Sequence, residues 1–191
     1  MWYRTLAAAA FLGAISAGAT AQDTRSVQLE LRPFMGAYLP RGVMGREFKA
    51  APMFGMQSAL ELSRYSHLVG SIGFTHGRAK YAGFGDDLTY IWQYDVGAEF
   101  NALRALDGGW LLRPFAGLGA GGRTYDYTAS GVSSRSCTAG YGALGSEVQN
   151  EALALRLEGR GYLSCFESPV TGRHETRNDF ALTFGVAFHL W

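Results

Sequence analysis

The chain has 191 residues, with 17 basic and 16 acidic side chains and a formal net charge of +1. So even a balance gives no electrostatic argument for nucleic acid as a partner. The 26 glycines and 14% aromatic content suit tightly packed strands with aromatic girdles.

Met1–Arg4 is a short positive segment, Leu6–Ala19 is apolar and Ala-rich, and Ala19-Thr20-Ala21 is a small-x-small site before Gln22. This order is that of a secretory signal peptide over residues 1–21. The apolar run is shorter than the ~20 residues that a membrane-spanning helix needs. What remains, residues 22–191, is about 170 residues, enough for one domain and one eight-stranded barrel.

Eight segments read as strands: Val27–Leu39, Met53–Ser63, Leu68–Gly77, Leu88–Ala102, Trp110–Gly122, Ala139–Val148, Leu153–Cys165 and Asp179–Trp191. In the fourth, Leu88, Tyr90, Trp92, Tyr94, Val96, Ala98 and Phe100 alternate with Thr89, Gln93, Asp95, Gly97, Glu99 and Asn101. In the seventh, Leu153, Leu155, Leu157 and Leu163 oppose Arg156, Glu158, Arg160 and Ser164. A period of 2 with one apolar face is the pattern of a strand whose two faces meet different media. A soluble barrel around an apolar ligand would need the apolar face inside; here the other face is charged and Gly-rich, which favours lipid outside. Short links near Arg64–His67, Leu103–Gly109 and Gln149–Ala152 alternate with longer ones. That predicts periplasmic turns, outer loops and both termini in the periplasm. The fold expected is all-β, an eight-stranded antiparallel up-and-down transmembrane barrel.

Leu31-Arg32-Pro33-Phe34-Met35-Gly36 recurs as Leu112-Arg113-Pro114-Phe115-Ala116-Gly117. The repeat suggests two equivalent halves of four strands. Each proline forfeits a ladder hydrogen bond, so a β-bulge is expected at each.

The inward charges form the first candidate constellation: Arg32, Glu61, Glu99, Arg113, Glu147, Arg156 and Glu158, with Glu30 and Arg160 nearby, all in the periplasmic half. A turn centred near Leu106 makes Glu99 and Arg113 direct cross-strand neighbours and a turn near Asn150 makes Glu147 and Arg156 diagonal. Charges in a narrow lumen must pair. Such a network is a plug replacing a hydrophobic core, or it lines a gated ion path or proton relay. Cys137 and Cys165 fall at the outer ends of the sixth and seventh strands, where a disulfide is expected in an oxidising compartment; free thiols or an intermolecular link are the alternatives. His67, His76, His174 and His189 are scattered and read as solvated. Arg41, Arg46, Arg123, Arg135, Arg173 and Arg177 read as loop arginines, which serve solubility or bind phosphates. No metal cluster, phosphate loop or nucleophile elbow is present in the sequence, so no cofactor is expected.

The last strand, Asp179–Trp191, places Phe180, Leu182, Phe184, Val186, Phe188 and Leu190 on one face. Its Thr183-x-Gly185-x-x-Phe188-x-Leu190, followed by Trp191, resembles the C-terminal sorting signal of outer-membrane proteins, with the terminal aromatic one residue after the match. On this signal and the strand architecture, Val27–Trp191 resembles the small eight-stranded outer-membrane barrels of the OmpA, OmpX and OmpW types. The resemblance implies residence in the bacterial outer membrane among its lipids, with lipopolysaccharide phosphates within reach of loop arginines, and the barrel-assembly machinery as reader of the terminal signal. It implies a structural, adhesive or defensive surface barrel without a wide pore. A narrow channel and an outer-leaflet lipid-modifying enzyme are the alternatives. Oligomeric state and loop ligand are left open.

Overall fold

The computed structural model describes residues 28–41, 48–78, 88–128, 134–150, 153–167 and 174–190. The expected signal segment, residues 1–21, and Trp191 lie outside them. The strands are β1 (Leu29–Pro40), β2 (Ala51–Ser63), β3 (Ser66–Arg78), β4 (Leu88–Asn101), β5 (Arg104–Ala105), β6 (Leu111–Tyr127), β7 (Arg135–Gln149), β8 (Ala154–Glu167) and β9 (His174–Leu190). Each barrel strand pairs antiparallel with its sequence neighbour, β4 pairs with β6, and β9 returns to β1, which closes an eight-stranded barrel. The two-residue β5 only lengthens the β4–β6 hairpin. Closure removes the sheet edges that an open sheet would leave unpaired. Leu29 pairs with Leu190, so both ends of the described barrel lie on the side of the short turns.

Facing follows the alternation. Leu182, Phe184 and Phe188 of β9 are exposed on the outer wall, while Ala181, Thr183 and Ala187 are buried inside. Trp92, Tyr94, Val96 and Phe100 of β4 are exposed, and Thr89, Gln93, Asp95, Glu99 and Asn101 are buried. The inside is polar and the outside apolar, the reverse of a water-soluble domain and the arrangement that lipid stabilises. Among the described residues no helix is long and apolar enough to cross a membrane.

Neither proline makes a bulge. The β1–β2 register runs unbroken from Leu29↔Leu60 through Pro33↔Met56 to Tyr38↔Ala51. The β1–β9 pairing lapses at Arg32 and Pro33 and resumes in the same register at Phe34↔Gly185. Pro114↔Ser146 likewise sits within a continuous β6–β7 ladder. The missing N–H costs a local gap, and the flanking bonds hold the register. Both halves of the repeat then do the same thing. Phe34 stands opposite Gly55 and Phe115 opposite Gly145, and a Cβ on either glycine would overlap the phenylalanine ring.

One turn is placed differently from expectation. Arg104↔Leu112 continues the register of Asn101↔Phe115, so the β4–β6 hairpin turns at Asp107–Gly109, later than a centre at Leu106. Gly108 and Gly109 have φ of 73° and 78°, a left-handed conformation that glycine adopts without steric cost. Those two residues fix where the chain reverses.

β6 to β9 also run further on the loop side than the alternation predicts, to Tyr127, from Arg135, to Glu167 and from His174. Their loop-side ends carry buried side chains, Arg123, Tyr125 and Arg177 among them, and so belong to the barrel.

Candidate functional site: the charged lumen

Twelve charged carboxylate and guanidinium side chains are buried among the described residues: Glu30, Asp95, Glu99, Glu147, Glu158 and Asp179 against Arg32, Arg113, Arg123, Arg156, Arg160 and Arg177. Six acids balance six arginines. Neutrality is what a dry interior demands of its charges.

The lower half is organised as a closed ring in which the two signs alternate. Arg32 of β1 binds Glu30, with its Nε 2.9 Å from Oε2, and reaches Glu99 of β4 at 3.5 Å. Arg156 of β8 grips Glu99 with both terminal nitrogens. Glu147 of β7 lies 3.7 Å from Arg156 and 3.3 Å from Arg113 of β6. Arg113 returns to Glu30 at 3.2 Å. Five strands thus contribute to one ring across the lumen. The Glu147 carboxylate oxygens meet their arginines at ion-pair distance without hydrogen-bond geometry, so the Glu30 and Glu99 contacts are the directional ones.

A branch climbs from the ring. Arg156 Nε donates to Glu158 Oε2 at 3.1 Å, and Arg160 Nε donates to Glu158 Oε1 at 2.7 Å. Arg160 goes on to Ser71 at 2.9 Å and Asp95 at 3.2 Å. Guanidinium faces are covered by rings: Arg156 lies 3.5 Å from the centroid of Phe115 and Arg160 4.3 Å from that of Tyr141. Cation–π contact replaces part of the lost hydration. A cavity of about 10 Å³ beside Gln57, Gln93, Glu158 and Arg160 has room for about one water.

Above it Arg123 Nη1 meets Asp179 Oδ2 at 2.6 Å and the Tyr38 hydroxyl at 3.4 Å, with its Cζ 3.9 Å from the Tyr162 centroid. Phe48, from the β1–β2 connection, is buried with its ring 6.5 Å from that of Tyr125.

Of the residues expected in the lumen, Arg32, Glu99, Arg113, Glu147, Arg156 and Glu158 come together in this network. Glu61 stays at the lower end of β2, opposite His67, and is half-buried outside the ring. The pairing expected within it differs. Glu99 stands opposite Gly117, not Arg113, because the turn falls at Gly108–Gly109. Glu147 is directly opposite Arg156, not diagonal to it.

Three other expectations are corrected. Cys137 and Cys165 are not bonded. Cys137 has the parity of the buried Ala139 and Tyr141, whereas Cys165 has that of the exposed Leu163. The two thiols therefore lie on opposite sides of the wall. Arg123 and Arg177 are fully buried lumen residues, not loop arginines. Arg41 and Arg135 are exposed, and Arg46 and Arg173 lie outside the described residues. His67 is buried and not solvated; His76 is exposed on β3, and His174 and His189 fall within β9. Thr183 and Gly185 of the terminal signal face inward and Phe188 outward.

The Arg123–Asp179 pair escaped sequence reasoning, although its signal was present. Arg123 shares the inward parity of Arg113, and Asp179 that of Thr183.

No protein-family model matches the chain, and no curated protein matches it in sequence. Solved structures do match. Neisserial surface protein A superposes with a TM-score of 0.57 at 10% identity, over 83% of this chain and 95% of that one. The N-terminal β-barrel domain of OprF from Pseudomonas aeruginosa superposes with a TM-score of 0.51 at 14% identity, over 84% and 97%. At these identities the likeness is one of fold, and by fold the chain is a small eight-stranded barrel of the outer-membrane type.

Proposed function

We propose that the protein is a non-enzymatic outer-membrane barrel with a structural or surface-interaction role, its lumen plugged by paired charges. The alternating ring of Arg32, Glu99, Arg156, Glu147, Arg113 and Glu30 carries this reading. It spans the lumen, it joins five strands, and its members are close to fully buried. An eight-stranded barrel encloses just enough space for side chains to fill, and here charged ones fill it.

The remaining assignments follow from the sequence. Residues 1–21 direct export and are removed. Thr183, Gly185, Phe188, Leu190 and Trp191 present the assembly signal to the barrel-assembly machinery. Outer-membrane lipids surround the apolar belt, with lipopolysaccharide phosphates as partners of the loop arginines in this reading.

Planar-bilayer recording tests the plug. The mature chain should show conductance near zero at neutral pH. A steady open current would replace this reading with the narrow channel. A mass shift of lipid A on expression would replace it with the lipid-modifying enzyme.

A further inference from the structure

His67 is a buried titratable group at the lower end of the lumen that the plug itself does not use. Asn101 Nδ2 lies 3.0 Å from His67 Nδ1. An amide nitrogen can only donate, so Nδ1 is the acceptor and carries no proton in this arrangement. The other end of the same amide, Asn101 Oδ1, is buried and has no hydrogen-bond partner. A half-turn of the amide would exchange the two atoms. Neutral His67 thus accepts from Asn101 Nδ2, and charged His67, now bearing a proton on Nδ1, would donate to Asn101 Oδ1. The pair has two arrangements, and charged His67, with a proton on both ring nitrogens, fits only the second.

The surroundings couple that choice to the ring. His67 sits opposite Glu61 on the β2 ladder and opposite Glu99 on the β4 ladder. Glu30 and Arg32 of β1 and Arg113 of β6 also act on it electrostatically. Glu99 is the carboxylate that Arg32 and Arg156 share. An imidazolium beside Glu99 would compete with both arginines for it.

We propose that His67 and Asn101 form an acid-sensitive latch at the periplasmic mouth, in which protonation of His67 draws Glu99 away from Arg156 and Arg32 and loosens the ring. This rests on the plugged-lumen reading. A buried imidazole is costly to charge, and the lower mouth meets that cost by admitting water and re-sorting its ion pairs. Proton uptake is the only chemistry involved.

Bilayer recordings of the wild type and of His67→Gln, between about pH 7.5 and about pH 5, test the latch. Gln keeps an acceptor for Asn101 Nδ2 and cannot titrate. Opening events in the wild type should become at least about tenfold more frequent over this range as His67 takes up its proton. His67→Gln should stay flat. An equal rise in both proteins would assign the effect to the carboxylates and overturn the latch, as would a wild type that does not respond to acid. Steady current at neutral pH would overturn the plug alone, because loss of the acid response in His67→Gln would still uphold the latch. Should the variant fail to fold, NMR of the wild type decides. The Asn101 side-chain amide signals should move with the same midpoint as the His67 ring, and an amide indifferent to that titration would overturn the latch.

Discussion

Arg123 and Asp179, 56 residues apart in sequence, meet at 2.6 Å inside the barrel with both side chains at 0% exposure. No other carboxylate lies within ion-pair distance of Arg123 among the described residues. Removing one partner leaves the other charge buried and unpaired. Asp179→Ala should therefore lower stability by about 3–5 kcal/mol. Replacing both by apolar residues of similar volume, Arg123→Met with Asp179→Leu, should recover most of that loss. Urea unfolding of the barrel refolded into lipid vesicles measures both. A double variant as unstable as Asp179→Ala would show that the pair contributes more than mutual neutralisation.

The ring makes a prediction about partners. Glu99 touches Arg156 and does not stand opposite Arg113. A double-mutant cycle of Glu99→Ala with Arg156→Ala should give a coupling of about 1–3 kcal/mol, and the cycle with Arg113→Ala should fall to about 0.5 kcal/mol or less. The reverse order would restore a hairpin centred at Leu106. Arg156→Ala should also raise bilayer conductance, because it removes two of the ring's links.

These two cases show what the sequence carries and what it does not. Period-2 alternation in β4, β8 and β9 fixes facing, and with facing comes the membership of the lumen. Partnership depends on register, and register depends on turns. A shift of the turn from Leu106 to Gly108 moves Glu99 from Arg113 to Gly117. The signal for that shift is the Gly108-Gly109 pair, whose preference for positive φ outweighs the symmetry of the flanking strands. Arg123 and Arg177 were hidden for another reason. Their charge and their place near chain reversals mark them as loop residues, and only the barrel's extension to Tyr127 and His174 brings them inside.

The cysteines are separable by reagent. Cys165 is exposed on the outer wall and Cys137 is half-buried with inward parity. In detergent-solubilised protein both should be alkylatable without prior reduction. A bulky maleimide should label Cys165 rapidly and Cys137 only after unfolding. Intact mass spectrometry showing a loss of two hydrogens and no labelled thiol would establish a disulfide between them.

The repeat offers the sharpest contrast between neighbouring glycines. At Gly145 a Cβ would meet both the Phe115 ring and the Leu157 carbonyl oxygen; at Gly55 it would meet the Phe34 ring and the Ile72 carbonyl oxygen. At Gly142, on the same strand as Gly145, nothing lies within 4 Å of the added carbon. Gly145→Ala and Gly55→Ala should each cost about 1–3 kcal/mol by overpacking. Gly142→Ala should stay within about 0.5 kcal/mol of the wild type. Shrinking the ring should not fully rescue the first variant. Phe115→Leu with Gly145→Ala leaves the Leu157 carbonyl in place, and it also strips Arg156 of the ring face 3.5 Å away. Thermal unfolding followed by gel mobility ranks the four variants. Equal stability of Gly145→Ala and Gly142→Ala would mean that the two phenylalanines do not hold their strands against glycine, and that the repeat has no structural role.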